Sequence, residues 1–417
     1  MKKFLTTLLL FTFTTVLFGQ EVKHYDFKVK FNIPQKKIDV EGIINIDMNN
    51  QDSIIFTIWK ETEIKNITIR GKSVNFSFDT IEKSPIAYIP NGGKLTIRNI
   101  KKQQDVVPIH FAYTCNMENV TGWAKSFSDK WIELGFYTAW YPVHSTSMDF
   151  TSRIAVSIDR SFVVSGSGIV TKEGKDWVIT HSWPVFDNVI IAAKNLKTKE
   201  IREGKVALDI VYTTFPENDL DSVAIKCKEI YTFYSNIFGQ SGDSSGMYLK
   251  FAINPLESSG GFSRSKFILL GASRFSQDLE NIIAHEVAHF WWHRAQATTW
   301  EDWLNESFAE CSMLLYLREK GSKEEYNSKI EQFKKQTINS KPIWGIDRKS
   351  SDAYVALYDK GSLILLEFEE KIGTTEFYKF LKMLLDKKIS NTADFLKFVE
   401  TEYSNEYRIW FEQKLKT

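Results

Sequence analysis

The hydrophobic period changes once along this chain of 417 residues, near Phe215, and that change limits it to a β-rich part followed by a helical part. In HYDFKVKF, Tyr25, Phe27, Val29 and Phe31 alternate with polar residues. That is the period of two that puts alternate side chains on one buried face of a sheet. The same alternation returns at Ile44/Ile46/Met48, Ile54/Phe56/Ile58, Ile154/Val156/Ile158 and Val206/Leu208/Ile210/Tyr212, with turn signals such as Asn91-Gly92-Gly93 between runs. Across residues 219 to 239 the apolar positions fall at helical spacing. Residues 247 to 254 and 264 to 270 read as two strands, and from Ser276 onward nearly every segment reads helical. The expected class is therefore α+β and multidomain. An antiparallel β-rich domain, saddle-like or sandwich-like, takes residues 21–213, and a mainly α domain takes 214–417. No flexible linker separates them, which predicts packed domains.

Residues 1–20 differ in kind. Lys2 and Lys3 precede an apolar stretch from Phe4 to Phe18, and Gly19 supplies a small residue, the layout of a secretory signal peptide cut near Gly19 or Gln20. Five threonines interrupt that stretch, and it is short for a bilayer span, so no stable membrane anchor is expected after cleavage. The reading is export, to the periplasm or the medium. Removing Lys2 and Lys3 from the 53 basic residues leaves 51 against 52 acidic ones, a charge of −1. No charge excess points to nucleic acid or an anionic surface as a partner. Cys115, Cys227 and Cys311 are odd in number and far apart, which gives no disulfide framework and suggests buried thiols.

The chemistry concentrates in NIIAHEVAHFWW. Ser276, followed by Asp278 and Glu280, starts a helix expected over 278–293. On it His285 and His289 stand one turn apart on one face, able to reach a single Zn²⁺. Glu286 lies about 100° around the helix, placed to contact a water at the metal as general base. The flanking isoleucines and aromatics are core, and a lone buried histidine is usually core as well. Two histidines beside a glutamate are costly to bury without a partner, which favours metal. A third ligand is available in TTWEDWLNESFAEC, where Thr298 and Glu301 resemble a capping box and Glu306 lies one helix downstream. Glu310 is a rival third ligand. His293 is a weaker one, because successive four-residue steps drift around the helix.

HEVAH, WLNES and YDKG (Tyr358 to Gly361) together resemble the aminopeptidase N family of zinc metallopeptidases, of the gluzincin group. The resemblance implies a β-rich N-terminal domain, a thermolysin-like catalytic domain and one zinc per chain. It also implies a short form without the helical C-terminal domain of many members. His285, His289 and Glu306 would then be zinc ligands, Glu286 the general base, and Tyr358 the donor to the oxyanion. The spacing between His289 and Glu306 is shorter than the family's, and its exopeptidase motif GAMEN is replaced by INPLESSGGFSR. There Glu257 matches the motif's glutamate, and Gly260 and Gly261 would let a peptide backbone approach. Glu133, in WIELGFYTAWYP, resembles a second substrate carboxylate, and two carboxylates would hold a protonated amine. The expected function is an exported zinc aminopeptidase acting on peptides with a free N-terminus. A zinc endopeptidase and an inactive peptide-binding homologue are the alternatives.

Overall fold

The computed structural model describes residues 20–82, 84–86, 88–100, 106–122, 124–145, 149–203, 206–240, 247–256 and 260–417. The expected signal segment, apart from Gln20, and Glu257 lie outside the described residues. The chain has the expected class, antiparallel-rich sheets first and helices after.

The alternation seen in HYDFKVKF has its predicted consequence. Tyr25, Phe27, Val29 and Phe31 are buried, while Asp26, Lys28 and Lys30 between them are exposed. Their strand, Glu21–Asn32, lies inside an eight-stranded sheet, antiparallel to Lys37–Asp47 and parallel to Phe150–Ser157. A three-stranded sheet, in the order Ile54–Trp59, Gly92–Arg98, Asn75–Asp79, packs with it around Phe56, Phe111 and Trp140. A four-stranded sheet runs Val163–Gly166, Ile190–Ala193, Ile132–Leu134, Ser126–Phe127.

A five-stranded mixed sheet crosses the boundary expected at residue 213. Its order is Lys197–Glu203, Val206–Tyr212, Met247–Asn254, Phe267–Gly271, Gly261–Arg264. Val206–Tyr212 pairs in parallel with Met247–Asn254, on the far side of that boundary. One face of the sheet shares a core with the helices. The other forms a small core of its own, in which Val211, Ala252, Phe262 and Leu269 meet Ile191 of the four-stranded sheet and Trp131 and Val189, which directly precede two of its strands. Lys250 adds a polar stitch there, its buried Nζ donating to Gly166 O at 3.1 Å and Gly168 O at 2.7 Å.

Eight α-helices follow among the described residues: α1 Glu217–Phe238, α2 Gln277–Ala288, α3 Trp303–Lys320, α4 Lys323–Thr337, α5 Gly361–Ile372, α6 Thr374–Asp386, α7 Thr392–Glu402 and α8 Asn405–Lys416. A π-helical stretch, Val355–Lys360, leads into α5. α3 is buried on all sides from Trp303 to Leu317 apart from Glu306, which is partly exposed; a helix apolar all round belongs at the centre of a core. Cys115, Cys227 and Cys311 are free and buried. No helix among the described residues is long and apolar enough to cross a membrane.

Candidate metal centre

α2 starts as the sequence predicts, with Ser276 Oγ accepting from Leu279 N at 3.2 Å. It ends earlier than residue 293. Ala288 is its last residue, and His289 is the C-cap, with φ −62° and ψ −9°. The following Phe290–His293 turn away, so that His293 is exposed and its Nδ1 meets His289 O at 3.0 Å. This removes His293 from the metal-ligand candidates.

The loop after α2 is tied to the start of α3 by Asn305. Its Oδ1 accepts from Ala295 N, and its Nδ2 donates to Ala295 O and Asp302 Oδ1, at 3.0, 3.0 and 2.9 Å. The capping box expected from Thr298 and Glu301 is not formed. Thr299 caps the 3₁₀ turn Trp300–Asp302, and the Glu301 carboxylate reaches Thr392 N and Oγ1 at the start of α7, at 2.7 and 2.6 Å. With its first turn fixed this way, α3 carries Glu306 against the histidine pair.

Three atoms then converge. Glu306 Oε2 is 3.3 Å from His285 Nε2 and 3.3 Å from His289 Nε2. Tetrahedral ligands about 2.0–2.1 Å from zinc stand about 3.3–3.4 Å apart, so these separations fit one ion. The other ring nitrogens are engaged behind. His285 Nδ1 meets Glu310 Oε2 at 2.6 Å, and His289 Nδ1 meets Trp292 O at 2.9 Å. A carbonyl only accepts, so His289 carries its proton on Nδ1 and turns an Nε2 lone pair forward. Glu306 Oε2 itself is buried and accepts no hydrogen bond. With both imidazoles neutral, the three atoms are acceptors aimed at one point, an arrangement that fits a cation. His285, His289 and Glu306 are the group among the described residues able to hold a metal ion. Glu310 sits behind His285, where it orients the ring.

The charges respond to this crowding. Burial pulls His285 down, but the Glu306 and Glu310 carboxylates outweigh it and hold the imidazole well above its ordinary value. Burial likewise works against the Glu306 charge, and the His289 and His285 imidazoles overcome it, holding that carboxyl well below the usual range. Glu286 is 6% exposed. Burial raises its carboxyl, with the two imidazoles partly offsetting the shift.

Tyr358 reaches the site from the π-helical stretch. Ser307 Oγ on α3 donates to Leu357 O at 2.6 Å, and Gly361 makes that approach possible, since a Cβ there would lie 1.8 Å from Ser307 Oγ. The Tyr358 ring stacks between His285 (centroids 5.6 Å apart, planes 13°) and Tyr354 (4.4 Å, 21°). Arg348, which no sequence pattern singled out, donates from Nη2 toward the Tyr358 hydroxyl at 3.4 Å and from Nε to Asp302 Oδ2 at 3.0 Å.

All of these face one cavity of about 1560 Å³, whose lining includes His285, Glu286, His289, Glu306, Tyr358, Gly260 and Gly261. Gly261 begins the edge strand Gly261–Arg264 and lies against α2. A Cβ there would be 2.8 Å from Leu269 O and 3.3 Å from Glu286 Cγ. Gly260 has φ +99°, a left-handed conformation that suits glycine. Glu133 is placed differently from the others. It is 1% exposed on the short strand Ile132–Leu134, and its Oε2 accepts from Trp131 Nε1 at 3.0 Å and Asn254 Nδ2 at 2.8 Å. It is not among the described residues that line the cavity.

Residues 250–411 match the model of the peptidase family M1 domain. Among solved structures, an M1 zinc metallopeptidase from Deinococcus radiodurans is 16% identical over 96% of this chain and 94% of its own, with a TM-score of 0.74. A mutant of an M1 zinc metallopeptidase from the same organism, bound to a Tyr-Ser-Ala substrate, is also 16% identical, over 96% and 95%, with a TM-score of 0.72. Leukotriene A4 hydrolase from Saccharomyces cerevisiae is 16% identical over 94% of this chain and 67% of its own, at 0.72. At such identities the likeness is one of fold. None of the curated proteins compared matches the chain. The matched segment contains α2, α3 and the π-helical stretch that build the centre.

Proposed function

We propose that the chain is an exported zinc aminopeptidase, with one zinc per chain held by His285, His289 and Glu306. The observation that carries this reading is the convergence of two imidazole Nε2 atoms and one carboxylate oxygen at 3.3 Å separations beside a buried glutamate. When bound, zinc polarises the scissile carbonyl and acidifies a water. Glu286, whose carboxyl is raised by burial, takes the proton of the attacking water and passes it to the leaving amine. Tyr358 donates to the carbonyl oxygen as negative charge gathers there. Among the described residues the edge strand Gly261–Arg264 pairs on one side alone, and it borders the cavity, offering its backbone edge to an extended peptide. Gly260 and Gly261 keep that edge low, and Glu257 would meet the free amine of the substrate. The chemistry belongs to the domain expected over residues 214–417.

A second reading is a peptidase indifferent to the free amine. It is favoured by Glu133, whose Oε2 is engaged by Trp131 and Asn254. Hydrolysis of matched aminoacyl and N-acetyl-aminoacyl substrates, with and without chelator, tests both. The aminopeptidase cleaves the free substrates alone and stops when zinc is removed. Equal turnover of the acetylated series selects the second reading, and chelator-resistant turnover defeats both.

A further inference from the structure

Arg348 lies in the loop between α4 and the π-helical stretch, and its guanidinium is fixed from behind. Nε and Nη2 both reach Asp302 Oδ2, at 3.0 and 2.9 Å. The same oxygen accepts from Tyr88 at 3.0 Å, and Asp302 Oδ1 is held by Asn305 at 2.9 Å. The guanidinium carbon stands 4.8 Å from the Tyr88 ring centroid and 5.7 Å from that of Tyr358. So anchored, Nη2 points at the Tyr358 hydroxyl, 3.4 Å away, and passes 4.0 Å from Glu306 Oε1.

We propose that Arg348 is a positioning residue that sets the direction of the Tyr358 proton. A guanidinium has five donors and no acceptor, so its contact with the phenol runs one way: Arg348 donates and the Tyr358 oxygen accepts. The hydroxyl proton of a phenol prefers the ring plane and has two places there. Arg348 takes one side of the oxygen, and the proton is left on the other, toward the cavity. The ring itself is clamped between His285 and Tyr354, so the C–O torsion is the remaining freedom, and Arg348 removes it before substrate arrives. A preaimed donor has no reorganisation to undergo as charge develops on the carbonyl oxygen. Asp302 and Tyr88 act one step further back, by aiming Arg348.

This inference rests on the proposed donor role of Tyr358, and a double-mutant cycle separates the two. Kinetics of the wild type, Tyr358→Phe, Arg348→Gln, Arg348→Lys and the Tyr358→Phe/Arg348→Gln double variant are measured with zinc content and melting temperature. The expected result is a loss of about tenfold in kcat for Arg348→Gln with KM and zinc content unchanged. That loss disappears when Tyr358 is already Phe. Arg348→Lys keeps the charge but lacks the planar fork that fills both Asp302 and Tyr358, so it shows the same loss and guards against a misfolded Gln variant. A full Arg348 loss on top of Tyr358→Phe overturns the proposal, as does lost zinc content, which would mean that Arg348 acts through Glu306. Full rescue by Lys also overturns it, by making charge rather than aim the operative property. A Tyr358→Phe variant as active as the wild type would instead defeat the donor role itself.

Discussion

Glu310 Oε2 lies 2.6 Å from Nδ1 of His285, on the side of the ring opposite the nitrogen that faces Glu306. The carboxylate fixes the ring's orientation and makes Nε2 a better electron donor. Glu310→Ala should weaken zinc affinity about 10–100-fold, while Glu310→Gln, which keeps an acceptor, should weaken it less. Competition with a chromophoric chelator measures both. An Ala variant with wild-type affinity would show that His285 needs no such support.

Glu286→Gln should leave zinc bound and reduce kcat by about 10²–10⁴-fold, the range of a lost general base. Glu286 is absent from the converging group of ligand atoms, so zinc content by elemental analysis is expected to stay at the wild-type level. Zinc loss in this variant would reassign Glu286 to metal binding.

Zinc uptake should release protons. Without metal, Glu306 and Glu310 hold His285 well above its ordinary value, against burial, and Glu306 holds His289 above its own. For a raised histidine the added stability is fully present below the unfolded value, about 6.5, and is lost as pH rises through the folded value. The metal-free protein should therefore melt at lower temperature as pH climbs from about 6.5. Zinc at a thousand times its dissociation constant should restore about 4 kcal/mol, and a fixed zinc concentration should stabilise more as pH rises and the ligands shed their protons. Calorimetric titration in buffers of different ionisation enthalpy counts the protons; none released would contradict the assignment of the histidines as ligands.

Acid should weaken the β part through a different histidine. Burial pushes His181 down to about 4, between Ser152 Oγ at 2.8 Å and Ser167 Oγ at 3.0 Å. A depressed histidine binds its proton in the unfolded chain first. Stability is thus intact above about pH 6.5 and falls toward pH 4, by about 3 kcal/mol in all. Denaturant midpoints between pH 7 and 4.5 should drop less in His181→Gln than in wild type. Parallel slopes would place the acid sensitivity elsewhere.

Gly261→Ala should cost activity more than metal binding. Its methyl would crowd Leu269 O and press on Ile282 and Glu286 of α2, shifting the base while the ligands stay put. A kcat decrease with unchanged zinc affinity is expected; unchanged kinetics would mean that the strand yields freely.

Much of this was legible beforehand because it is local. Alternation in HYDFKVKF maps directly onto burial, and HEVAH with WLNES names atoms that meet whatever the details of the loops. The unread parts depend on contacts distant in sequence. Helix α2 stops at Ala288 because the chain must turn back for Asn305 to hold Ala295, and a helical pattern continuing through Phe290–Trp292 conceals that. Glu301 leaves its capping role for Thr392, which lies 91 residues on. Arg348 sits in a loop without pattern, and nothing in its neighbourhood announces Asp302 or Tyr358. Glu133 reads as a substrate carboxylate by resemblance, and its bond from Asn254, 121 residues on, leaves no trace in that pattern.

The mixed sheet also bears on how such a chain can be divided. The strand edging the cavity rests its reverse face, through Phe262, on Trp131 and Ile191 of the β part. Two further strands come from before residue 213. A fragment begun at that residue would inherit every ligand and still lack the backing of its substrate wall, with the Met247–Asn254 edge left bare for another chain to join. The β part is thus less a separable accessory than the inner backing of the cavity wall.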